Sequence, residues 1–155
     1  MTSYEPSMRI AIELAADQGA HEQGADVPVG ALVLSPGGEI IGRGRNLCLA
    51  TNDPTAHAEI VAIRQAAAAT KNWRLDGCTL IATLEPCTMC AGAVHLARIG
   101  RVVYGAIDER AGAAGSISDA LFDRRLGPAV EVISGVLADD CADLLKDFFR
   151  RLRSE

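Results

Sequence analysis

The stretch "CTLIATLEPCTMCAGAVHLARIGRVVYGAI", Cys78–Ile107, decides the architecture of this chain. Its first part, "CTLIATLEP", is a β-type apolar run that Pro86 stops, because proline has no N–H to give to a ladder. "TMCAGAVHLARIG" then reads as a helix ending at Gly100, and "RVVYGAI" reads as a second strand. Cys87 and Cys90 stand where the first strand hands over to the helix. Taken alone, that pair is compatible with a disulfide, a redox couple, a structural metal clip or half of a catalytic metal site.

Working outward, the segment from Ser7 to about Gln18 places Met8, Ile10, Ala11, Ile12, Leu14 and Ala15 in an amphipathic helix that ends near Gly19. "VPVGALVLSPGGEIIGRGRN", Val27–Asn46, is two apolar runs around a Pro-Gly-Gly turn, which is a hairpin. Asp53-Pro54 breaks the chain, and Thr55 to Thr70 is Ala-rich and helical, with Thr55 as the expected N-cap. Asp108 to Ala129 is Gly-rich and irregular, with a short helix near Ile117–Phe122. "VEVISGVL" is a last strand, and Asp139–Arg153 a last helix with Leu144, Leu145, Phe148 and Phe149 on one face. Strands alternating with helices predict an α/β chain, a three-layer α/β/α sandwich whose sheet is covered on both faces. One domain over residues 1–155 is expected, since neither a linker nor a repeat interrupts the pattern.

Apolar residues make up 49% of the 155 and charged residues 23%, which excludes a disordered chain. No apolar run approaches ~18–20 residues and the first residues lack a leader pattern, so a cytoplasmic protein without a membrane span is expected. Five cysteines (Cys48, Cys78, Cys87, Cys90 and Cys141) in a chain of this size argue against a disulfide framework. The net charge of −5 lacks the basic excess usual in nucleic-acid binders. Arginines do cluster at Arg124-Arg125 and at Arg150, Arg151 and Arg153, where a basic patch and a solvated helix end are both open readings.

A second stretch, "DPTAHAEI", brings His57 and Glu59 to the start of a helix. Cys87 and Cys90, three apart, share a helix face and can hold one ion together, and the positive helix end favours their thiolates. His57 with the two cysteines gives three soft ligands and one open tetrahedral position, the arrangement of a catalytic zinc. A closed structural site needs a fourth ligand, and none of Cys48, Cys78, Cys141, His21 and His95 has paired spacing with the trio. Glu59, two residues after His57, points away from the ligand direction and toward a substrate, where a carboxylate can carry a proton. His-x-Glu has no role in a redox couple.

His57-Ala-Glu59 followed by Pro86-Cys87-Thr-Met-Cys90 is the H-x-E…P-C-x-x-C signature of the zinc nucleobase deaminases. With "VPVGALVL", "NWRLDGCTLIATLEPCTMCAGA", "RIGRVVYGA", "GAAGS" and "GVLADDCADLLKDFFRR", the chain from about Met8 to Arg151 resembles the cytidine/deoxycytidylate deaminase superfamily. Within it, the likeness is to the bacterial tRNA-specific adenosine deaminases. The resemblance implies a cytidine deaminase-like, mostly five-stranded mixed sheet, a homodimer and one zinc per subunit. It implies conversion of adenosine to inosine at the wobble position of a tRNA anticodon loop. Carried over, His57, Cys87 and Cys90 are the zinc ligands and Glu59 is the proton shuttle. Asn46 hydrogen-bonds the target nucleotide, Val29 and Ala58 form the pocket floor, Asp108 meets the sugar–phosphate side, and Phe149 is a pocket residue.

The chain departs from that pattern in two places. Leu47–Thr51 is apolar where the family is basic or polar, and Gly127-Pro128-Ala129 replaces an Asn-His-Arg-like triplet. Both are expected to flank the pocket mouth, where polar groups keep a nucleic acid in register. The substrate therefore stays open between a tRNA and a free base or nucleoside such as guanine, cytosine or adenine. A zinc-stabilised binding module without turnover is a third reading, one that leaves Glu59 without a task.

Overall fold

The computed structural model describes residues 3–17 and 24–154; Gln18, Gly19 and His21 lie outside the described residues. Helix α1 spans Glu5–Ala16, followed by the hairpin of β1 (Gly30–Leu34) and β2 (Ile40–Arg45). Then come a short α2 (Cys48–Thr51), α3 (Ala58–Thr70), β3 (Thr79–Leu84), α4 (Thr88–Ala97) and β4 (Arg101–Ala106). The chain closes with β5 (Glu131–Ile133) and α5 (Ala138–Ser154). The strands form one sheet in the order β2-β1-β3-β4-β5. β1 pairs antiparallel with β2 and β3, whereas β3, β4 and β5 run parallel, so the sheet is mixed as expected.

Alternation along the strands divides the core in two. Ala31, Val33, Leu80 and Val102 face α3 and α4, packing with Ala58, Ala62, Ala66, Ala91 and Val94. Leu32, Leu34, Ile81 and Val103 face the other way, onto Met8 and Ala11 of α1 and Cys141 of α5. Small residues let α3 lie close on β2: a side chain at Gly44 would stand 2.3 Å from the Ala58 carbonyl oxygen. Burial on both faces is the reason these strands read as continuous apolar runs.

Several expected boundaries move. The α3 N-cap is His57, not Thr55, because Asp53 Oδ1 accepts from both the N–H and the hydroxyl of Thr55 and holds it in a turn. The short helix near Ile117–Phe122 is a 3-10 turn over Ala120–Phe122. The last strand stops at Ile133, ahead of Gly135 (φ 78°) and Leu137 (φ 51°), whose left-handed backbones cannot continue a ladder. Helix α2 is an addition. Asp26 caps it, accepting from Leu49 N at 2.6 Å and Ala50 N at 3.1 Å, so the apolar Leu47–Thr51 stretch is built as a capped turn.

Candidate active site

The site lies where β3 ends, at the carboxyl edge of the parallel strands, where open α/β sheets leave a crevice. Two helices begin there. His57 caps α3 with extended backbone (φ −65°, ψ 153°), and Cys87 caps α4 likewise (φ −78°, ψ 176°). Both side chains therefore leave just outside their helices, at the positive ends. Cys90, in the first turn of α4, is fully buried beside them.

His57 Nδ1 stands 3.5 Å from Cys87 Sγ and 3.6 Å from Cys90 Sγ. A tetrahedral zinc with bonds of about 2.0–2.1 Å to nitrogen and 2.3 Å to sulfur separates such atoms by about 3.5–3.6 Å. All three ligand atoms lie within 4.8 Å of one another, and no other metal-ligating group of this kind occurs among the described residues. The trio thus fits zinc and leaves a fourth position to the cavity. Cys48, Cys78, Cys141 and His95 lie outside it.

The electrostatics favour one thiolate at the centre. Hydrogen bonding from Cys90 pulls the Cys87 thiol down to about 4, with His57 adding to the effect. The same contact, with burial, pushes Cys90 up, so one proton is shared between two sulfurs. His57 is raised by its hydrogen bond to Cys87. Glu59 is 4% exposed, and burial raises its carboxyl above the usual range against the opposing bond from the Cys90 thiol.

His57, Glu59 and Cys87 line a cavity of ≈180 Å³ together with Val29, Asn46, Ala58 and Asp108. A cavity of ~150 Å³ accepts benzene, so this one has room for an aromatic heterocycle. Asn46 Nδ2 donates to the Val27 carbonyl at 3.2 Å, and its Oδ1 accepts from Cys48 N at 3.1 Å. The amide is thereby fixed, with one hydrogen and one lone pair to spare. Asp108 Oδ1 accepts from Arg110 N and Ala111 N, at 3.0 and 3.1 Å. Phe149 is not brought into this cavity. Helix α5 packs on the opposite face of the sheet, and Phe149 lines an adjoining groove of ≈530 Å³ with Arg110 and Lys146. That groove shares Val27, Leu84 and Asp108 with the cavity. Neither departure from the family pattern borders the cavity: Leu47–Thr51 is α2 with its N-cap, and Gly127–Ala129 lines a separate hollow.

Glu85 is the functional-site residue that motif reading missed. Its carboxylate is 2% exposed, and Oε1 accepts from Asp108 N at 3.1 Å and Ser116 Oγ at 2.5 Å. Oε2 accepts from Ala114 N at 2.9 Å and Ser116 N at 3.3 Å. Gly112 passes so close that a Cβ there would meet Glu85 Cδ at 2.3 Å. Burial alone raises this carboxyl, but the bonds from Ser116, Ala114 and Asp108 outweigh it and hold it below the usual range. The only local signal was an acid between an apolar strand and Pro86-Cys87.

Comparison with known proteins gives this geometry its context. Residues 1–106 match the model of the cytidine and deoxycytidylate deaminase zinc-binding region. The tRNA-specific adenosine deaminase of Haemophilus influenzae is 47% identical over 97% of this chain and 86% of its own length. A solved structure from a study of A-to-I editing by tRNA deaminases at the wobble position superposes with a TM-score of 0.79. It is 41% identical, covering 89% of this chain and 97% of its own. The guanine deaminase of Nitrosomonas europaea superposes with a TM-score of 0.71 at 28% identity, covering 96% and 85%.

Proposed function

As this chain belongs to the cytidine and deoxycytidylate deaminase family and is a zinc-dependent hydrolytic deaminase, we propose that its substrate is an adenosine at the wobble position of a tRNA, which it converts to inosine. The observation that carries the reading is the continuation of a ring-sized cavity into a groove whose outer end is basic. From the cavity, the lining runs through Asp108 to Arg110, Lys146 and Phe149, and on to Arg150 and Arg153. A base fills the cavity while its flanking phosphates meet cations outside.

The zinc, when bound, supplies a water activated toward a pKa of ~7 and positive charge beside the reacting carbon. Val29 and Ala58 hold the ring flat. Asn46 gives its remaining amide hydrogen and lone pair to the nucleotide. Asp108 Oδ2, without a partner among the described residues, faces the sugar. Glu59 takes the proton from the attacking water and delivers it to N1 of adenine as C6 is attacked. It then carries a second proton to the departing amine, and ammonia leaves with inosine behind. Burial suits this carboxyl to the task, because a raised pKa makes it a stronger proton acceptor than an exposed carboxylate.

A deaminase of free guanine is the second reading, favoured by the net charge of −5. An ammonia-release assay separates the two. The tRNA reading predicts turnover of an anticodon stem-loop carrying wobble adenosine, and none of free guanine, adenine or cytosine; the reverse result overturns it. The reading includes a cytoplasmic homodimer built as one domain. Leu96 and Met89 of α4, seven residues apart on one helix face, and Ile117 and Phe122 are exposed apolar side chains that a second copy would cover. Light scattering at twice the chain mass checks the pairing. Among the described residues no helix is long and apolar enough to cross a membrane.

A further inference from the structure

Helix α4 has a second end. Eight residues beyond Cys87, ~12 Å along the axis, His95 and Arg98 open onto a cavity of ≈590 Å³ that shares no lining residue with the first. Arg74, Arg98, Arg124 and Arg125 line it. Two are already neutralised. Arg74 holds Asp76 through bonds of 2.9 and 3.1 Å, and Arg125 holds Asp123 through bonds of 3.0 and 2.7 Å. Arg98 and Arg124 have no ion-pair partner among the described residues, which leaves about two uncompensated positive charges here in an acidic chain.

His95 supplies the second observation. It is 3% exposed, and its Nε2 lies 2.9 Å from the Ala120 carbonyl oxygen, so Nε2 carries the ring proton. Nδ1 is then an acceptor, buried and without a partner. It lies beneath Gly127. A Cβ at that position would come within 3.1 Å of Nδ1 and 3.3 Å of Arg98 Nη1. The Gly-Pro-Ala departure from the family pattern thus keeps this floor open, between a cation and an unmet acceptor. A ligand that fits must bring negative charge to the arginines and a hydrogen to Nδ1.

We propose that this cavity binds a phosphate accompanied by a hydroxyl: monohydrogen phosphate, a phosphomonoester, or the ribose-phosphate of an RNA. Monohydrogen phosphate carries its charge and an O–H together at neutral pH, and a phosphomonoester, with a pKa of about 6, carries −1.5 to −2 charges and holds an O–H for part of the time. In RNA, the 2′-hydroxyl supplies the donor. Sulfate has the charge and lacks the hydrogen.

Calorimetric titration at constant ionic strength is the test, with inorganic phosphate and sulfate as probes. The site predicts saturation at one phosphate per chain, with sulfate weaker by roughly 10-fold, the cost of leaving Nδ1 unmet. Arg124→Ser weakens phosphate several-fold. Gly127→Val, at a position with ordinary backbone, removes saturable binding, and His95→Leu brings phosphate down to the level of sulfate. Thermal melting of each variant shows that it is folded, and either variant alone decides the matter if the other does not fold. Absence of saturation in the natural protein, equal affinity for the two anions, or unchanged affinity in folded Gly127→Val overturns the proposal. The source of the phosphate is read separately, on the proposed tRNA substrate. A KM for the stem-loop raised by Arg124→Ser at unchanged kcat assigns it to RNA, and unchanged kinetics with lost phosphate affinity assign it to a free phosphate ligand. The titration itself does not depend on the deaminase substrate being tRNA.

Discussion

Glu59 and Glu85 are two buried carboxylates on the wall of one cavity, and their surroundings differ. Glu85, at the end of β3, receives four hydrogen bonds from the Asp108–Ser116 loop. Its charge is fully used, and the bonds hold the carboxyl below its ordinary range. Glu59, at the start of α3, has the Cys90 thiol as its side-chain donor, and burial raises it. The same residue type is thereby a fixed tie in one place and, on the function proposed above, a mobile-proton carrier in the other. Saturation by donors, more than burial, separates the two roles.

Removing the metal is the harshest way to break the comparison. His57→Ala, or prolonged chelation, is expected to abolish ammonia release and zinc content together, because two thiolates alone do not complete the site. Metal analysis beside the activity assay checks it. Glu85→Gln sharpens the contrast. The amide keeps the shape but turns an N–H toward a loop of N–H donors, so about 1–3 kcal/mol of ordering is lost. The expected result is full zinc content and a KM raised on the order of 10-fold, with kcat changed far less. Asn46→Ala, which touches neither acid, should lower kcat/KM by a comparable or smaller factor, on the order of 10-fold. The smallest effect is in acid. Glu85 has a depressed folded pKa, so its contribution is complete above the unfolded value of about 4.3 and fades as pH falls through the folded one. Natural protein should therefore lose more stability than Glu85→Gln as pH falls below about 4.3, as thermal melting in a pH series would show.

The sequence made Glu59 legible and left Glu85 silent for a physical reason. Glu59 belongs to a short-range pattern with His57, the His-x-Glu of the signature, in which a carboxylate beside a zinc water is expected. The partners of Glu85 lie 23 to 31 residues away, in an irregular loop whose path no periodicity encodes. The same distinction holds elsewhere. The βα units and the two-sided sheet follow from continuous apolar runs that alternate with helical segments. Helix α2 depends on Asp26 reaching across from more than 20 residues upstream, so the apolar Leu47–Thr51 stretch looked only like lost polarity. Gly127–Ala129 and Phe149 carried no signal of their side of the sheet, and the fold places them outside the catalytic cavity.

Zinc content and turnover measured together on Glu59→Gln test the central claim most directly. With the metal ligands untouched and the proton carrier removed, about one zinc per chain should remain while kcat falls by ~10²–10⁴-fold. Turnover near that of the natural protein, with zinc still bound, would contradict the account and return Glu59 to the standing of Glu85, a buried acid that carries no proton.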